Sequence, residues 1–363
     1  MAASVVAVLR TTPNTVVEDY ARLLDLAGCG AALDEQRGAF VKVCHSHNDF
    51  FPSAGTPPWQ LDGVLGWLGQ RGLRRDQIVV GENRTVSTEL SRVKKSHRWA
   101  QVVARHGVRF LDLDTAVWDD LEGASDGLVA DWTPFGGPAM PREARGKTLV
   151  HLAPMKVHGH SVATGSMKSA FNLLLRYRTC HRAHRQIHET LADMLYLQHR
   201  VLGQELIGVI DGVFGGNGKG PVTLTPVEKN VILASRDLVA LDAVAVSMMG
   251  FEPRAVPFVW MAHQRGLGCA DLSRISVVGE DIRGVSFGFK SERNLVIYVD
   301  QLLRRRLGPG ARRVMLDSPL DRLAITASLV YHNVYWGRLL APRRMKGFHE
   351  SGWARCWEGY AAQ

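Results

Sequence analysis

TLVHLAPMKVHGHSVATGSMKSAFNLLLRYRTCHRAHR, residues 148–185, is the stretch that decides the fold of this chain. An apolar run with Leu149, Val150 and Leu152 begins it and predicts a buried strand. Cations, imidazoles and hydroxyls follow where that strand ends, and such groups suit an anionic ligand. The alternative interpretation is a basic surface loop. The polar side chains concerned are Lys156, His158, His160, Ser161, Thr164, Ser166, Lys168 and Asn172.

Strand-like and helix-like segments alternate upstream of this stretch. Thr15 and Glu18 form the T-x-x-E pattern of a helix start, and Gly28 marks the end of that helix. Three strand-then-helix units followed by a fourth strand favour a mainly parallel sheet flanked by helices. We therefore predict an α/β fold with Rossmann-like layers. The predicted strands are 4–9, 40–43, 77–80 and 108–114, and the predicted helices are 15–26, 59–68 and 94–106.

Two more of these strand ends carry polar side chains. The sequence CHSHND (44–49) follows the second predicted strand, and Gly81, Glu82 and Asn83 follow the third. Because α/β proteins bind ligands at the carboxyl ends of their strands, we expect both groups to share one crevice with residues 148–185.

A histidine stripe is predicted on the helix over 183–202. Three histidines precede Leu191 and Leu195 at steps of three and four residues, which places all five side chains on one helical face. The leucines should be buried, so the histidines should point at least partly inward. The alternative is a polar seam where the helix packs on the sheet. The histidines are His181, His184 and His188.

A glycine-rich segment, GVFGGNGKGP (212–221), follows Asp211 and a predicted strand over 206–210. It lacks the G-x-G-x-x-G dinucleotide fingerprint, and Gly218-Lys219 is followed by Gly220, which excludes a P-loop nucleotide site. The segment is expected to be either a nest of backbone amides for an anion or a tight turn that needs positive φ. Farther on, Asp237 is placed to cap a helix over 238–249, whereas Asp242 has no such explanation.

The domain organisation predicted is one α/β domain over 1–282 and a mainly helical extension over 283–363, with a clear helix over 318–340. The first domain forms either one body or two lobes, 1–116 and 148–282, joined by 117–147. The tail carries Trp353, Trp357 and Tyr360, which predict a segment that packs over the body or closes as a lid.

Charge points to an anionic partner. The chain has 363 residues, 46% of them hydrophobic, with a net charge of +9 and a pI of about 9.5. Its basic clusters, at 94–95, 304–306 and 343–346, are short and are not interleaved with stacking aromatic residues. This pattern disfavours nucleic acid and favours a small anionic substrate. The oligomeric state is left open.

The cysteines and the apolar runs indicate a cytoplasmic protein. Five cysteines lie far apart, and no C-x-x-C pair occurs, which argues against a zinc ribbon, an iron–sulfur cluster and a disulfide scaffold. No apolar run approaches the roughly 18 residues of a transmembrane helix. The apolar run in the first ten residues is too short for a signal peptide. We therefore expect a reducing compartment and no membrane partner.

The order of these pieces resembles the DUF362 family, bacterial and archaeal proteins named for their unknown function, over approximately residues 5–282. A strand running into K-x-H matches Lys156 and His158. The lysine of the following K-N helix matches Lys168, and the lysine of a K-P-N strand end matches Lys42. A histidine some fifteen residues after Lys168 matches His181 or His184. A V-D-G…G-x-G-P pattern matches Asp211, Gly212, Gly216, Gly218 and Pro221, S-x-D-x-V-A-x-D-A matches 235–243, and G-L-G matches 266–268.

The resemblance implies an α/β fold and supports the site without naming its reaction. The family's K-P-N is replaced in this chain by Lys42-Val43-Cys44, so the proline and asparagine of the family are not available for a ligand contact. Asn48 is the candidate to replace that asparagine. The second K-N has become Lys168-Ser169, with Asn172 one turn later. The ferredoxin-like segment of some members is missing, which disfavours a built-in electron-transfer role.

Three functions compete. In the first, an enzyme acts on a small carboxylate or phosphate metabolite, as an isomerase, lyase or hydrolase in a biosynthetic pathway. Neighbouring lysines lower one another's pKa and suit acid–base chemistry or an anion clamp, and histidine carries protons near neutral pH. The predicted catalytic residues are Lys156, His158, Lys168 and His184, and the predicted substrate-binding residues are Lys42, Asn48, Thr164, Asn172, Asp211, Gly216, Asn217, Gly218 and Asp242.

The other two functions are a metal-dependent enzyme and a non-catalytic binding or partner protein. Iron or zinc would be held by imidazoles at i,i+2 spacing, which lie on one face of an extended chain. Nearby lysines count against a metal cation unless an anionic substrate lies between them. The candidate metal ligands are His45, His47, His158, His160 and His181.

Overall fold

Valine-, isoleucine- and leucine-rich runs form one large sheet in the computed structural model, which describes residues 4–85, 88–121, 126–177, 180–293, 336–337 and 339–361. Within these ranges the sheet has nine strands. They are β1 (Ser4–Arg10), β2 (Ala39–Lys42), β3 (Ile78–Glu82), β4 (Arg109–Asp112), β7 (Thr148–His158), β8 (Val162–Ala163), β9 (Leu206–Lys219), β10 (Thr223–Ser235) and β11 (Ile275–Gly279); β5 (Trp118–Asp120) and β6 (Ala139–Pro141) pair separately.

The strand order is β11-β1-β10-β9-β7-β2-β3-β4, and β8 pairs with the end of β7. Neighbouring strands are parallel except where β10 meets β1 and β9 and where β8 meets β7. The prediction of an α/β fold with a mainly parallel sheet is therefore confirmed. Strands from residues 1–116 and 148–282 are hydrogen-bonded neighbours in this sheet, because β2 pairs with β7.

Helices cover both faces of the sheet. Alternate strand residues enter two separate cores, as Phe40 and Leu149 do on one face and Val41 and Val150 on the other. Strands buried on both faces need nearly continuous apolar runs, which is the pattern found in β1 and β7. The helices are α1 (Val16–Leu26), α2 (Pro58–Gln70), α3 (Leu90–Ser96), α4 (Trp99–His106), α5 (Phe171–Leu174), α6 (Ile187–Tyr196), α7 (Leu238–Met249), α8 (Pro257–Gln264), α9 (Ala341–Arg344), α10 (Lys346–His349) and α11 (Gly352–Gly359).

Two predicted helices are interrupted. The helix predicted over 94–106 is two helices, α3 and α4, because Arg98 adopts a left-handed conformation with φ of 60°. The helix predicted over 183–202 begins instead with 3₁₀ turns at Cys180–Gln186, continues as α6, and ends in a π turn at Leu197–Val201. The single period of 3.6 residues therefore does not extend through the histidine stripe.

Residues 212–219 of the glycine-rich segment form a strand and neither a nest nor a tight turn, and the turn comes only at Gly220 and Pro221. β9 continues to Lys219 and forms an antiparallel hairpin with β10. Of its glycines only Gly218, with φ of 94°, has a positive φ. The others permit close approach: a Cβ on Gly216 would lie 2.8 Å from the Cβ of Lys156, and one on Gly212 would lie 3.1 Å from Met155. Close packing of strands, rather than turn formation, explains these glycines.

The described part of the tail packs against the body. The Trp353 ring centroid lies 5.1 Å from that of Trp59 on α2, and the Tyr360 hydroxyl donates to Asp62 Oδ2 at 2.9 Å. Trp353 and Tyr360 are both buried. The helix predicted over 318–340 lies almost entirely outside the described residues. None of the described helices combines the length and the hydropathy that crossing a bilayer requires.

Candidate functional site

The ends of three adjacent strands, β3, β2 and β7, bring polar side chains together. These strands are parallel, so their carboxyl ends lie at one edge of the sheet. Glu82 ends β3, Lys42 ends β2, and Lys156 lies near the end of β7. All three are buried, with exposed fractions of 1%, 1% and 3%. The predicted crevice therefore has charged groups at its base.

Glu82 is the carboxylate of this cluster. Its Oε1 accepts from Lys42 Nζ at 2.7 Å, and its Oε2 lies 3.4 Å from His45 Nδ1. Asn172 Nδ2 donates to Oε1 at 3.5 Å. Burial alone would raise the pKa of Glu82, but Lys42 and His45 outweigh it and hold the pKa below its ordinary value. Glu82 is thus ionised and neutralises Lys42.

Lys156 has no carboxylate partner among the described residues. Its Nζ donates to Ser46 Oγ and to the carbonyl of Ala54, each at 2.7 Å. Ser53, just before Ala54, has a φ of 70°, a strained conformation of the kind found at functional sites. Burial lowers the pKa of Lys156 to about 7, and Lys168 adds to the lowering. At neutral pH this amine exchanges readily between its charged and neutral forms.

Lys168 has neither a carboxylate nor a carbonyl partner in the ranges that the structure describes. It is partly buried, and its Nζ lies 4.6 Å from the centre of the Phe171 ring. Burial lowers the pKa of Lys168 to about 8. The neighbouring residue, Ser169, accepts a hydrogen bond from Cys44 Sγ at 3.2 Å, which joins this segment to the turn after β2.

Asp242 holds the segment that carries Lys168. Its oxygens accept from Ser166 N at 2.6 Å, Ser166 Oγ at 2.8 Å and Met167 N at 3.0 Å. Gly165 has a φ of 68° and lies so close to Asp242 that a Cβ would overlap the carboxyl group. Burial raises the pKa of Asp242 to about 7. Asp242 was predicted to bind substrate; the structure places it beneath the loop as its support.

His158 and His184 come together beyond the lysines. Their rings are nearly parallel with centroids 6.1 Å apart, and the His160 ring lies 5.9 Å from the first and 5.0 Å from the second. His184 reaches this position from the 3₁₀ turns before α6. His188, in contrast, stacks on Phe258. His181 lies in the same turns as His184, and its side chain is outside the described part of the structure.

The two other predicted metal ligands face elsewhere. His45 contacts Glu82 and hydrogen-bonds with Thr88 Oγ1 at 2.8 Å. His47 donates from Nε2 to the carbonyl of Val222 at 2.8 Å. In the described ranges no group of three His, Cys, Asp or Glu side chains has the arrangement needed to hold a metal ion. The pairs at 45/47 and 158/160 are thus not combined into one ligand set.

Several predicted substrate-binding residues are engaged in structural hydrogen bonds. Asn48 Oδ1 accepts from Glu89 N at 2.7 Å, and Asn217 Oδ1 accepts from Lys290 N at 2.7 Å. Asp211 Oδ2 accepts from Tyr20 and Trp59 at 2.7 and 2.8 Å, and burial raises the pKa of Asp211 to about 6. Gly216 pairs with Lys156 in register, and Gly218 hydrogen-bonds through its backbone with Lys290. Thr164 differs, because its Oγ1 is buried without a hydrogen-bond partner among the described residues.

Sequence reasoning placed four further residues at the strand ends of the shared crevice but gave them no catalytic, substrate-binding or metal role: Cys44, Ser46, Glu82 and Asn83. Asn83 is 1% exposed, and neither atom of its side-chain amide has a partner among the described residues. An unsatisfied buried amide is costly, so it commonly marks a place where water or a ligand binds. The signal was available: Glu82 and Asn83 end the strand next to β2.

Comparison with known families gives one result. The family described as domain of unknown function (DUF362) matches residues 41–247, which is more than half of the chain. The chain belongs to the DUF362 family. The matched range includes the end of β2, all of β3 and β7, and Lys42, Lys156 and Lys168. A search of curated proteins finds no match.

Two pieces of the sequence resemblance have structural roles in this chain: S-x-D at 235–237, inside the matched range, and G-L-G at 266–268, outside it. Asp237 caps α7 by accepting from Val239 N and Ala240 N at 2.9 Å, and it also accepts from Ser4 Oγ at 2.6 Å. Gly268 lies against Asp237 so closely that any Cβ would overlap it. The S-x-D and G-L-G pieces therefore lock α7 to the segment at 266–268.

Proposed function

We propose that this DUF362 protein is a cytoplasmic enzyme that acts on a small anionic metabolite, a carboxylate or phosphate ester, by lysine and histidine acid–base chemistry. Isomerisation, elimination and hydrolysis of such molecules all need a proton carrier beside an anion clamp. Lys156 and Lys168, with His158 and His184, supply these groups.

The observation that carries the proposal is an excess of positive charge at the crevice. Lys42, Lys156 and Lys168 lie near one another there, whereas Glu82 is the one carboxylate of the described residues that pairs with any of them, and it pairs with Lys42. A buried ammonium without a counter-ion is costly. An anionic ligand would supply the missing charge, and this favours a carboxylate or phosphate over a neutral substrate.

The two unpaired lysines differ in their surroundings, so we assign them different roles. Lys156 is held by two oxygen acceptors, and its pKa of about 7 suits transfer of a proton. Among the described residues, Lys168 Nζ has the Phe171 ring beside it and no hydrogen-bond acceptor, which makes its N–H groups available to an anion. Lys168 is therefore the clamp and Lys156 the proton carrier.

The test is binding and turnover of a panel of small carboxylates and phosphate esters. Thermal shift and calorimetry would measure binding to the wild type, Lys168→Met and Lys156→Met, with Lys95→Met, an exposed lysine, as the charge-matched control. We expect a ligand at a hundred times its Kd to stabilise the wild type and Lys95→Met by about 2.7 kcal/mol and to leave Lys168→Met unchanged.

Turnover of any bound compound would be followed by mass spectrometry. We expect conversion by the wild type and none by Lys156→Met. Binding that survives in Lys168→Met would contradict the site, and Lys168-dependent binding without turnover of any panel member would show a binding protein rather than an enzyme.

A metal-dependent enzyme is the second candidate, because the His158, His160 and His184 rings lie near one another, although as placed they do not form a metal-binding group. Metal analysis of protein purified without a histidine tag distinguishes the two. Stoichiometric iron or zinc that is lost in His158→Ala would support a metal-dependent reaction and contradict the proposal of lysine and histidine acid–base chemistry.

A further inference from the structure

The hydrogen bonds of His158 determine which of its nitrogens carries hydrogen. Nδ1 accepts from the backbone N–H groups of His160 at 3.1 Å and Ser161 at 3.3 Å. A backbone N–H can only donate, so Nδ1 must present its lone pair. In a neutral imidazole the hydrogen then lies on Nε2. His158 is thus a hydrogen-bond donor through Nε2–H.

His158 is also held in the neutral state. Its protonation would place a hydrogen on Nδ1, where two N–H groups already point. His158 is 3% exposed, and burial disfavours the charged form of an imidazole. Nε2 has no hydrogen-bond partner among the described residues and is not one of their fully enclosed polar atoms, so it keeps some exposure.

The hairpin between β7 and β8 fixes the orientation of this ring. Val162 has a φ of 69°, which is a strained conformation for a β-branched residue. Ser161 Oγ donates to the carbonyl of Ala163 at 2.8 Å and closes the turn. Lys156 lies two residues before His158 on β7, so both side chains leave the same face of the strand, about 7 Å apart along it.

We infer that His158 donates through Nε2–H to a substrate oxygen while Lys168 holds the anionic group, so that the site takes anions with a carbonyl beside the charge, as in 2-oxo acids. This assignment rests on the proposed function and narrows its substrate class. The Lys156 amine, placed by its hydrogen bonds to Ser46 Oγ and the Ala54 carbonyl, removes a proton from the carbon next to the carbonyl and becomes the ammonium. The electron pair moves to the carbonyl oxygen, and Nε2–H stabilises the enolate. A neutral imidazole suits this task because it can donate a hydrogen bond to the enolate oxygen without giving up its own proton.

Binding of oxalate and acetate by metal-free protein tests the assignment. Oxalate presents two adjacent planar carboxylates and resembles the enolate of a 2-oxo acid, whereas acetate offers one group for Lys168. We expect His158→Ala to weaken oxalate about ten- to a hundredfold and acetate less than about threefold. His158→Gln, which keeps an N–H near the position of Nε2, should recover most of the oxalate affinity.

The outcomes separate the two proposals. Loss of both ligands in Lys168→Met, together with unchanged oxalate binding in His158→Ala, would overturn the role of His158 and leave the anion site intact. Unchanged binding of both ligands in Lys168→Met would overturn the anion site itself. Stoichiometric metal in the untreated protein, with oxalate binding lost on its removal, would also overturn the inference.

A measurement on the wild type covers the case in which the alanine variant does not fold. Two-bond ¹H–¹⁵N correlation spectra of protein labelled at histidine distinguish the two neutral tautomers from the cation. We expect His158 to remain the Nε2–H tautomer from pH 5.5 to 8, despite the titratable neighbours His160, His184, Lys156 and Lys168. A cation, or hydrogen on Nδ1, within that range would refute the donor role.

Discussion

Replacing Lys156 by Met should change how the stability of this protein depends on pH. The substitution keeps the long apolar stem and removes the ammonium, which is 3% exposed. Lys156 has a pKa of about 7 when folded and 10.5 in its ordinary state. Between those values the unfolded chain holds a proton that the folded protein releases, so wild-type stability rises with pH through this window.

The magnitude follows from the width of the window. Each pH unit inside it is worth about 1.4 kcal/mol, so the wild type should gain about 2 kcal/mol between pH 7.5 and 9.5 relative to Lys156→Met. Below pH 6 the difference should be constant, because Lys156 is then protonated in both states. The variant leaves Ser46 Oγ and the Ala54 carbonyl without their partner, a cost of about 1–3 kcal/mol that does not vary with pH.

The assay is urea unfolding at several pH values from 5.5 to 9.5, with Lys95→Met as the control for loss of one positive charge. Only the difference in the free energy of unfolding between variants is used, so that the contributions of other titrating groups largely cancel. If the difference between wild type and Lys156→Met is the same at pH 7.5 and 9.5, Lys156 ionises normally, and the charge argument for the anion site is refuted.

Two further predictions concern the supports of the site. Asp242→Asn should destabilise the protein by about 1–3 kcal/mol, because the asparagine amide cannot accept from all three donors of Ser166 and Met167. Burial raises the pKa of Asp242 to about 7, so the free energy of unfolding of the wild type should fall as pH rises from about 4 to 7. That of the variant should not fall in this way. Gly216→Ala should lower stability by about 1–3 kcal/mol, because its Cβ would lie 2.8 Å from the Cβ of Lys156; an unchanged urea midpoint would show that β9 and β7 separate freely.

Much of the fold was predictable because the information is local. The apolar runs of β1 and β7 and the alternation of strand and helix require only short windows of sequence, and they predicted the mainly parallel sheet. The edge of the sheet where the site lies followed from the same reasoning, since carboxyl ends of parallel strands meet. Lys156, His158 and Lys168 were selected in this way.

Partners distant in sequence were not predictable. Lys42 meets Glu82, 40 residues later, and this pairing decides that Lys42 is neutralised while Lys168 is not. The prediction that the histidines share one helical face was also wrong, because 3₁₀ turns replace the first part of the helix. His184 and His188 therefore contact different neighbours. Hydrophobic periodicity does not indicate where a helix is interrupted by 3₁₀ turns.

The sequence by itself located the parallel strands and showed which of their ends carry charge, since hydrophobic periodicity acts over a few residues. The tertiary structure alone decided what each glycine and each charged group meets. Gly216 serves the approach of two strands because Lys156 lies opposite it, and His158 is a donor because two backbone N–H groups point at Nδ1. A pKa, a tautomer and a close contact depend on atoms that folding brings near, and no short window of sequence contains them.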